Sequence, residues 1–407
     1  MRVNRLILRI IPYLIAVPPI GAVANPITTV PWNGYPGAVS FTFDDACQSQ
    51  LNNVVPELKK RGIAATFFLY NSGNAFTANK AAWVAAEKNG NELANHTLDH
   101  SDLTKATNAA TEVSSMATLL RAADTSIQAV TLAYPGCAVG SETAVGAENF
   151  MARGCLFSAP YLPLQWKTQP SDWLRVNAIY VSDDATATGP TMTAIDAAKN
   201  GGWIATLNHG VGGDWLTVTP TNVAAMFDRA IKDGLWIGTF QDVGAYWRAS
   251  FSMDKAVLSG SGPWTLTWTS PHPKMPKSVK LKVRLDSAVF GSSFTVKQGD
   301  VTIPVNKDGS YSVEFMKLAL SVAKTTSPTG VEVPLRSEVK DIRWSQGVLY
   351  ATGVESGKLL IVTSQGRHQI VTIVNGQARA DNLPTGIYQA RLLGRGNGEA
   401  RSFTVLH

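Results

Sequence analysis

The sequence predicts an α/β region followed by an all-β tail, and two observations carry this prediction. Between residues 37 and 250, short apolar runs alternate with longer segments whose apolar residues recur about every 3.6 positions. This alternation is typical of βα units around a mostly parallel sheet or barrel. After residue 250 the helical spacing disappears, and short β-branched runs follow one another with turn residues between them. That pattern is typical of small β-sandwiches.

The elements of the first region follow from these patterns. The predicted strands are Ala38–Phe43, Ala64–Leu69, Glu92–Ala94, Ala129–Ala133, Trp203–Leu207 and Leu235–Phe240. The predicted helices are Leu51–Arg61, Lys80–Asn89, Asn108–Asp124, Thr191–Asn200 and Thr221–Asp233. Several helices are followed by glycine, which readily adopts the left-handed conformation that ends a helix. In folds of this class, polar chemistry collects at the C-terminal ends of the strands.

The first 24 residues have the features of a signal peptide. Three arginines precede an apolar run from Ile10 to Ile20, and Ala22-Val23-Ala24 offers a cleavage site. The run is too short to span a membrane comfortably, so we expect a bacterial protein that is secreted or held at the cell surface. The predicted segments are a signal peptide over 1–24, an α/β domain over 25–250, a β-sandwich accessory domain over 251–325 and a C-terminal β domain over 326–407.

The net charge of +6 is unevenly distributed. Residues 25–250 carry 14 basic against 19 acidic side chains, whereas residues 251–407 carry 19 against 11. The surplus of positive charge therefore belongs to the β tail, where it favours weak attraction to anionic surfaces. Nothing in the chain resembles a nucleic-acid-binding patch.

Three cysteines are compatible with an oxidising compartment. Cys137 and Cys155 could form a disulfide, which would leave Cys47 unpaired and buried near the candidate site described next. Because the number of cysteines is odd, other pairings stay open.

Two motifs supply ligands of the kind that bind a divalent metal. Phe41-Thr-Phe-Asp-Asp45 places two carboxylates at the end of a predicted strand, and His96-Thr-Leu-Asp-His100 places two imidazoles four residues apart, on one face of a helical turn. One Asp with two His can bind a metal and leave coordination positions open for water and substrate. The other Asp is then available as a base. Taken alone, the tandem Asp could equally cap the following helix.

A third motif is the run Gly202-Trp-Ile-Ala-Thr-Leu-Asn-His209, an apolar strand that ends in a histidine. An imidazole at the end of a buried strand is well placed to act as a general acid near neutral pH. A plain polar residue at the end of a strand is the alternative interpretation.

In this order, the Thr-Phe-Asp-Asp, His-Thr-x-x-His, Tyr-Pro and Leu-x-His motifs resemble the NodB-homology polysaccharide deacetylases, which form carbohydrate esterase family 4. Asn89-Gly-Asn-Glu-Leu-Ala-Asn-His96 is also similar to that family's approach to its histidine motif. The resemblance covers about residues 36–250 and implies a distorted (β/α) barrel.

The resemblance implies a role for each matching residue. Asp44 matches the catalytic base and His209 the catalytic acid, while Asp45, His96 and His100 match the metal ligands. The implied reaction is metal-dependent hydrolysis of acetyl groups on a polysaccharide. Zinc is the metal that we expect, with cobalt or nickel as alternatives.

The sequence departs from the family pattern at two motifs. The third motif, Leu132-Ala-Tyr-Pro-Gly-Cys137, lacks the arginine that usually steadies the base. We still assign Tyr134 and Gly136 to the substrate and oxyanion side of the site. For the aspartate that orients the acid, Asp172 is the nearest candidate, with Asp183 or Asp184 as alternatives. Trp215, six residues after His209, is expected to line the substrate groove.

The resemblance leaves the substrate open. We expect acetylated xylan-like material slightly ahead of chitin-like or peptidoglycan substrates, because a secreted enzyme with a β tail suits external polysaccharides. A non-catalytic carbohydrate-binding protein on the same scaffold is the alternative from another class. Residues Gly357 to His407 resemble C-terminal sorting-type domains, which implies a partner in the secretion machinery or at the cell surface.

Overall fold

The structure, a computed structural model, describes residues 25–325, 341–345, 348–352, 356–363, 368–374, 377–379, 383–392 and 401–405. The signal peptide predicted over residues 1–24 lies outside the described residues. The chain divides into two compact units between Thr325 and Thr326. Among the described helices, none has the length and apolar character needed to cross a membrane.

Seventeen strands and nine α-helices make up the described part of the first unit. The strands are β1 (Ile27–Thr29), β2 (Ala38–Asp44), β3 (Thr66–Leu69), β4 (Glu92–Asn95), β5 (Thr131–Ala133), β6 (Met151–Leu156), β7 (Leu164–Gln165), β8 (Val176–Tyr180), β9 (Gly202–Asn208), β10 (Trp236–Ile237), β11 (Val257–Ser259), β12 (Trp264–Thr267), β13 (Lys280–Leu285), β14 (Phe294–Gln298), β15 (Val301–Ile303), β16 (Tyr311–Glu314) and β17 (Ala319–Lys324). The helices are α1 (Val55–Arg61), α2 (Lys80–Lys88), α3 (Ala109–Ala123), α4 (Glu142–Glu148), α5 (Asp184–Thr186), α6 (Met192–Ala198), α7 (Pro220–Lys232), α8 (Phe240–Met253) and α9 (Ser287–Phe290).

Seven parallel strands close into a barrel. They follow the order β2, β3, β4, β5, β6, β8 and β9, and β9 pairs with β2 to complete the ring. Every residue of β2 and β9 is buried, because one face of each strand lines the barrel interior and the other lies under the surrounding elements. The predicted (β/α) barrel is thus confirmed. Two short strands distort it: β10 adds to β2 in parallel, and β7 adds to β9 in antiparallel.

The sequence patterns missed two strands of this barrel, β6 and β8. β6 contains Arg153 and Gly154, and β8 contains Asn177, so neither has the continuous apolar run that marks a buried parallel strand. The strand predicted over Leu235–Phe240 is also shorter than expected. Only two of its residues form β10, and α8 begins at Phe240, where the Thr239 side chain accepts a hydrogen bond from the Asp242 amide.

Residues 251–325 share a hydrophobic core with the barrel. With β1 they form a three-stranded sheet (β1, β13, β16), and on their own they form a five-stranded sheet (β11, β12, β17, β14, β15). β1, which precedes the barrel in sequence, pairs with β13 so that Ile27 lies opposite Leu285. Tyr246 of α8 donates its hydroxyl hydrogen bond to the carbonyl of Val30 at 2.6 Å. The β-rich segment is therefore joined to the barrel through both α8 and the N-terminal strand.

The described residues of the second unit form β-strands, as the tail pattern predicted. Its described strands are β18 (Asp341–Ser345), β19 (Val348–Thr352), β20 (Ser356–Thr363), β21 (His368–Val374), β22 (Gln377–Arg379), β23 (Gly386–Leu392) and β24 (Arg401–Val405). They form one antiparallel sheet in the order β18, β19, β22, β21, β20, β23, β24. Its buried apolar side chains include Leu349, Leu359 and Ile361.

A buried carboxyl group lies where β4 begins, at the N-terminal end of the barrel strands. Glu92 accepts hydrogen bonds from the hydroxyl of Thr66 (2.7 Å), from the amide of Gln241 (2.9 Å) and from the hydroxyl of Thr131. Burial raises the pKa of Glu92 from its ordinary 4.5 to about 7, although these hydrogen bonds act in the opposite direction. The neutral acid is therefore favoured in the folded protein below about pH 7.

This shift predicts a pH-dependent contribution to stability. Because the pKa of Glu92 is higher in the folded than in the unfolded chain, its contribution falls as pH rises from about 4.5 through 7. The full penalty is on the order of 3 kcal/mol. We expect Glu92→Gln to lose less thermal stability than wild type between pH 5 and pH 8. Glu314→Gln, which changes an exposed carboxyl group, should keep the wild-type pH dependence. Parallel curves for Glu92→Gln and wild type would contradict the assignment.

Candidate metal centre

The two adjacent aspartates face one site because the backbone changes conformation between them. Asp44 is the last residue of β2, and Asp45 follows with a φ of 74°. In a continuous strand their side chains would point to opposite sides. Instead, Asp44 Oδ2 lies 3.9 Å and Asp45 Oδ1 lies 3.2 Å from the same atom, Nε2 of His96. The bend at the end of the strand thus lets both carboxylates serve one centre.

The two histidines meet on a loop, not on a helical turn, so that part of the sequence-based interpretation is wrong. His96 follows β4 directly, and Thr97 and His100 both have left-handed backbone conformations with φ of 63° and 58°. The loop is held by hydrogen bonds from the Thr97 amide to Asn95 Oδ1 (2.8 Å) and from the Ser101 amide to Thr97 Oγ1 (2.9 Å). This loop brings the two imidazole centroids to 4.9 Å.

Asp45, His96 and His100 converge on one point. Asp45 Oδ1 is 3.2 Å from His96 Nε2 and 3.1 Å from His100 Nε2, and the three ligand atoms all lie within 4.8 Å of one another. Burial alone would raise the pKa of Asp45, but the His100 and His96 rings hold it well below its usual range. The carboxylate is therefore charged and can act as a ligand.

The hydrogen bonding of His96 tests whether a metal fits here. Its Nδ1 lies 2.8 Å from the carbonyl oxygen of Ala133, which can only accept, so Nδ1 carries a proton. In the neutral ring, Nε2 then presents a lone pair to Asp45 Oδ1, a buried oxygen that accepts no hydrogen bond within the described chain. A divalent cation satisfies both atoms. Mixed imidazole and carboxylate donors suit zinc and neighbouring first-row metals.

Arg153 holds Asp44, the predicted base, and the sequence patterns did not predict this contact. This arginine lies on β6, is 1% exposed, and donates from Nη2 to Asp44 Oδ2. Its guanidinium carbon lies 5.0 Å from the centre of the Phe68 ring. The third motif lacks an arginine, and the neighbouring strand supplies one instead. The only signal was a single charge inside Met151–Leu156, a segment not predicted as a strand.

With Oδ2 held by Arg153, the other oxygen of Asp44 is free for chemistry. Asp44 is 2% exposed, and its Oδ1 is buried with no hydrogen-bond partner among the described residues. An ionised carboxylate with one oxygen fixed and one oxygen open is well suited to accept a proton.

His209 lies beside the second carboxylate oxygen of Asp45. It follows the last residue of β9, and its Nε2 is 3.6 Å from Asp45 Oδ2. Its ring packs edge-on against Tyr180, with centroids 5.9 Å apart. Burial lowers the pKa of His209 despite the attraction of nearby Asp44 and Asp45. A lowered pKa makes the imidazolium a stronger acid.

The predicted partner of this acid is not in place. Asp172 accepts a hydrogen bond from the Leu174 amide (2.8 Å) and lies 3.5 Å from Arg175 Nε. The buried Nδ1 of His209 has no hydrogen bond within the described residues. The expected orienting role of Asp172 is therefore not met, because this carboxylate is engaged by its own turn. The two alternative carboxylates are engaged elsewhere: Asp183 caps α5, and Asp184 accepts from the amide of Thr219.

Tyr134 does not have the contact with substrate that the sequence predicted. It is 1% exposed and packs among apolar side chains beneath α3 and α4, including Val113 and Val145. Its ring therefore cannot contact a substrate. Gly136, two residues later, is exposed, and its φ is 58°. No atom lies within 4 Å of the position where a Cβ would stand, so its backbone can be approached closely.

The predicted disulfide is present. Cys137 bonds to Cys155, and this links the turn containing Gly136 to β6, two residues beyond Arg153. Cys47 is the free, buried cysteine that the sequence predicted near the site. Its Sγ lies 3.8 Å from the carbonyl oxygen of Asp44.

Aromatic rings surround the metal ligands. Trp215 donates from Nε1 to Asp45 Oδ2 at 2.9 Å, and the residue is 48% exposed. Tyr70 packs against His100 with centroids 5.3 Å apart. Phe157, which is 66% exposed, packs against Tyr180 at 5.2 Å. The site thus opens between rings that can contact the faces of sugars.

We predict that the ligand set can be tested directly by metal content. Asp45→Asn and His96→Ala should each abolish tight zinc binding, because each removes one of three converging ligands. Bound zinc can be measured by elemental analysis after dialysis. His272→Ala serves as the control, because His272 is remote in sequence and belongs to no described ligand cluster. Full zinc content in both site variants would rule out this centre.

The Arg153–Asp44 pair makes a separate prediction about stability. Arg153→Met should lower the free energy of unfolding of the metal-free protein by about 3–5 kcal/mol, because it leaves a buried carboxylate without its cation. In an Asp44→Asn background the same substitution should cost less. Urea unfolding of all four proteins completes the double-mutant cycle. Equal costs in the two backgrounds would show that the pair is not coupled.

Comparison with known proteins agrees with this geometry. Residues 33–152 match the family model described as Polysaccharide deacetylase. A chitooligosaccharide deacetylase of Rhizobium leguminosarum bv. trifolii is 30% identical over 141 residues, which cover 34% of this chain and 60% of the relative. The match therefore spans less than two thirds of that relative's length.

Solved structures of similar proteins include the Xyl-CE4 domain of a multidomain xylanase from the hindgut metagenome of Trinervitermes trinervoides. It is 18% identical, and the match covers 51% of this chain and 89% of that one, with a TM-score of 0.36. A peptidoglycan deacetylase from Bacillus subtilis is 17% identical, with coverage of 51% and 89% and a TM-score of 0.35. The sequence similarity to the polysaccharide deacetylase family therefore lies in residues 33–152, the segment that contains Asp44, Asp45, His96 and His100.

Proposed function

We propose that this protein hydrolyses acetyl groups on a polysaccharide and that it does so with a divalent metal, zinc by preference. The observation that carries the proposal is the convergence of three potential metal ligands with a carboxylate that has one free oxygen. Asp45, His96 and His100 supply the ligands, and Asp44 is the carboxylate, held by Arg153. The family match over residues 33–152 supports the same chemistry.

Asp44 is the proposed base. When bound, the metal would polarise the acetyl carbonyl and make water more acidic. Asp44 Oδ1 takes a proton from the attacking water as its oxygen forms a bond to the acetyl carbon. Arg153 keeps the carboxylate in place throughout, because its guanidinium remains on Oδ2. The backbone N–H of Gly136, in its open turn, is the proposed donor to the negative charge that develops on the acetyl oxygen.

His209 is the proposed acid that completes the reaction. Its protonated imidazole donates to the sugar nitrogen or oxygen as the bond between that atom and the acetyl carbon breaks. Acetate and the free amine or hydroxyl are the products. The Tyr180 ring keeps the imidazole in place from one side.

Two substrate classes follow from the same chemistry, since they differ only in the leaving atom. An O-acetylated, xylan-like polysaccharide suits the proposal that the protein is exported and uses its β tail outside the cell. An N-acetylated substrate, chitin-like or from peptidoglycan, is favoured by the similarity to a protein named chitooligosaccharide deacetylase. We propose the secretion machinery or the cell surface as the partner of the β tail.

We expect zinc-loaded protein to release acetate from acetylated xylan or from chitooligosaccharides. Asp44→Asn should lower kcat at least about 100-fold, because it removes the buried, unpartnered oxygen that is proposed to take the water's proton, while zinc content stays unchanged. Asp172→Asn is the matched control and should keep near-wild-type kcat, since the described contacts of Asp172 are with Leu174, Arg175 and Glu142 and not with the proposed catalytic groups. Acetate can be measured enzymatically after incubation.

The same assay separates the enzyme from the alternative class. If zinc, cobalt and nickel all fail to support acetate release from either substrate, the hydrolytic function is wrong. Retention of the protein on insoluble polysaccharide would then favour the non-catalytic binding function.

A further inference from the structure

We propose that Trp215 is a positioning residue for the metal ligand Asp45, and that the open face of its indole binds the sugar ring next to the reacting acetyl group. The second part of this inference rests on the proposed function. The first part concerns metal binding alone and can be tested without any substrate.

The two oxygens of Asp45 have different surroundings. Oδ1 faces the two histidines at 3.2 and 3.1 Å, whereas Oδ2 accepts a hydrogen bond from Trp215 Nε1 at 2.9 Å. An indole N–H only donates and does not titrate in the accessible pH range. It therefore fixes the rotation of the carboxylate and directs Oδ1 to the histidines. Hydrogen bonds of this kind to metal ligands orient them and commonly contribute 10–100-fold in metal affinity.

The indole also occupies the Asp45 oxygen that faces His209, the proposed acid. His209 Nε2 lies 3.6 Å from the same Oδ2, farther than the indole nitrogen. Because Trp215 already supplies this oxygen with a donor, His209 is not needed there. Its Nε2 remains available to the substrate.

The loop that carries Trp215 is held in an uncommon conformation. Asp214 and Leu216, the residues on either side, both have left-handed backbones with φ of 59° and 48°. Such residues cost of order 1–3 kcal/mol each and persist only where the surroundings impose them. Gly210 lies so close to the loop that an added Cβ would stand 2.1 Å from the carbonyl oxygen of Gly213. The loop therefore has little freedom to move the indole away.

The same loop is attached to the segment that follows the aspartates. Asp214 Oδ2 accepts a hydrogen bond from the Ser49 amide at 2.8 Å, and Ser49 Oγ lies 3.0 Å from the amide of Val211, from which it accepts. Gln50 donates to the carbonyl oxygens of both Asp44 (2.6 Å) and His209 (3.0 Å). These bonds fix Trp215, Asp45 and His209 in one framework.

The exposure of Trp215 indicates a second role. The residue is 48% exposed although the only polar atom of its side chain, Nε1, already donates a hydrogen bond to Asp45. What remains accessible is therefore the apolar ring, beside the proposed metal site. Large planar rings in this position stack on the apolar faces of sugars. The occupant that fits is one sugar unit of the acetylated chain.

Two substitutions separate the roles. Trp215→Phe keeps a ring but loses the N–H, and Trp215→Ala loses both. We expect both variants to bind zinc about 10–100-fold more weakly in calorimetric titrations of the metal-free protein. Trp236→Phe is the control. Its half-buried indole packs on Tyr246, and Trp236 pairs with Ala38 at the start of β2, away from the metal ligands. Circular dichroism verifies the fold of each variant.

The sugar contact is measured without turnover. In an Asp44→Asn background saturated with zinc, the Kd for acetylated xylooligosaccharide or chitooligosaccharide should rise at least about fivefold in Trp215→Ala. It should change less in Trp215→Phe. Wild-type zinc affinity in Trp215→Phe would overturn the positioning role, and an unchanged Kd in Trp215→Ala would overturn the sugar contact. Failure of the proposed function has a different signature: no acetate release by the wild-type protein, with the zinc titrations unaffected.

Discussion

The buried pair formed by Arg153 and Asp44 is the constraint on which the rest of the site depends. Both side chains are almost fully enclosed, and an isolated charge there would be costly enough for the group to become neutral. The guanidinium places a positive charge directly against the Asp44 carboxyl group inside the barrel. It also occupies one oxygen and leaves the other unpaired. The pair joins β2 and β6, which are not neighbours in the ring, so it forms only when the barrel is closed.

Barrel closure also places the other groups. β9 lies directly beside β2, with Phe43 opposite Asn208, so His209 emerges next to the two aspartates. β4 ends on the same side and delivers His96, whose ring is held by the carbonyl of Ala133 at the end of β5. Each group leaves the C-terminal end of a different strand. The order of the strands therefore determines which residues meet at the site. The loops that follow the strands set the orientation of their side chains.

The sequence predicted the parts of this site that lie in contiguous motifs. Residue type and spacing indicated one Asp with two His, the family resemblance assigned Asp45, and the structure brings Asp45, His96 and His100 together. Arg153 was missed, because a lone arginine in an unrecognised strand has no local signal and its partner is 109 residues away. Asp172 was misassigned for the opposite reason: Asp-Trp has the right composition, but nothing in the sequence shows that its turn uses the carboxylate. Spacing reports local geometry, whereas contacts across a barrel depend on the whole fold.

The adjacent carboxylates of Asp44 and Asp45 differ in their neighbours, and this difference underlies their separate proposed roles. The positive charge of Arg153 balances the negative charge of Asp44. Within this group of three side chains, the charge of Asp45 therefore remains uncompensated. His96, His100 and the Trp215 indole surround Asp45, with nitrogen atoms at 3.2, 3.1 and 2.9 Å from its carboxylate oxygens. A divalent cation held by Asp45, His96 and His100 would compensate that charge and supply a positive centre that favours an oxyanion. An arginine beside Asp45 would compete with the metal for the carboxylate. The location of Arg153 on β6, against Asp44 and not Asp45, therefore keeps the proposed base and the proposed metal ligand distinct.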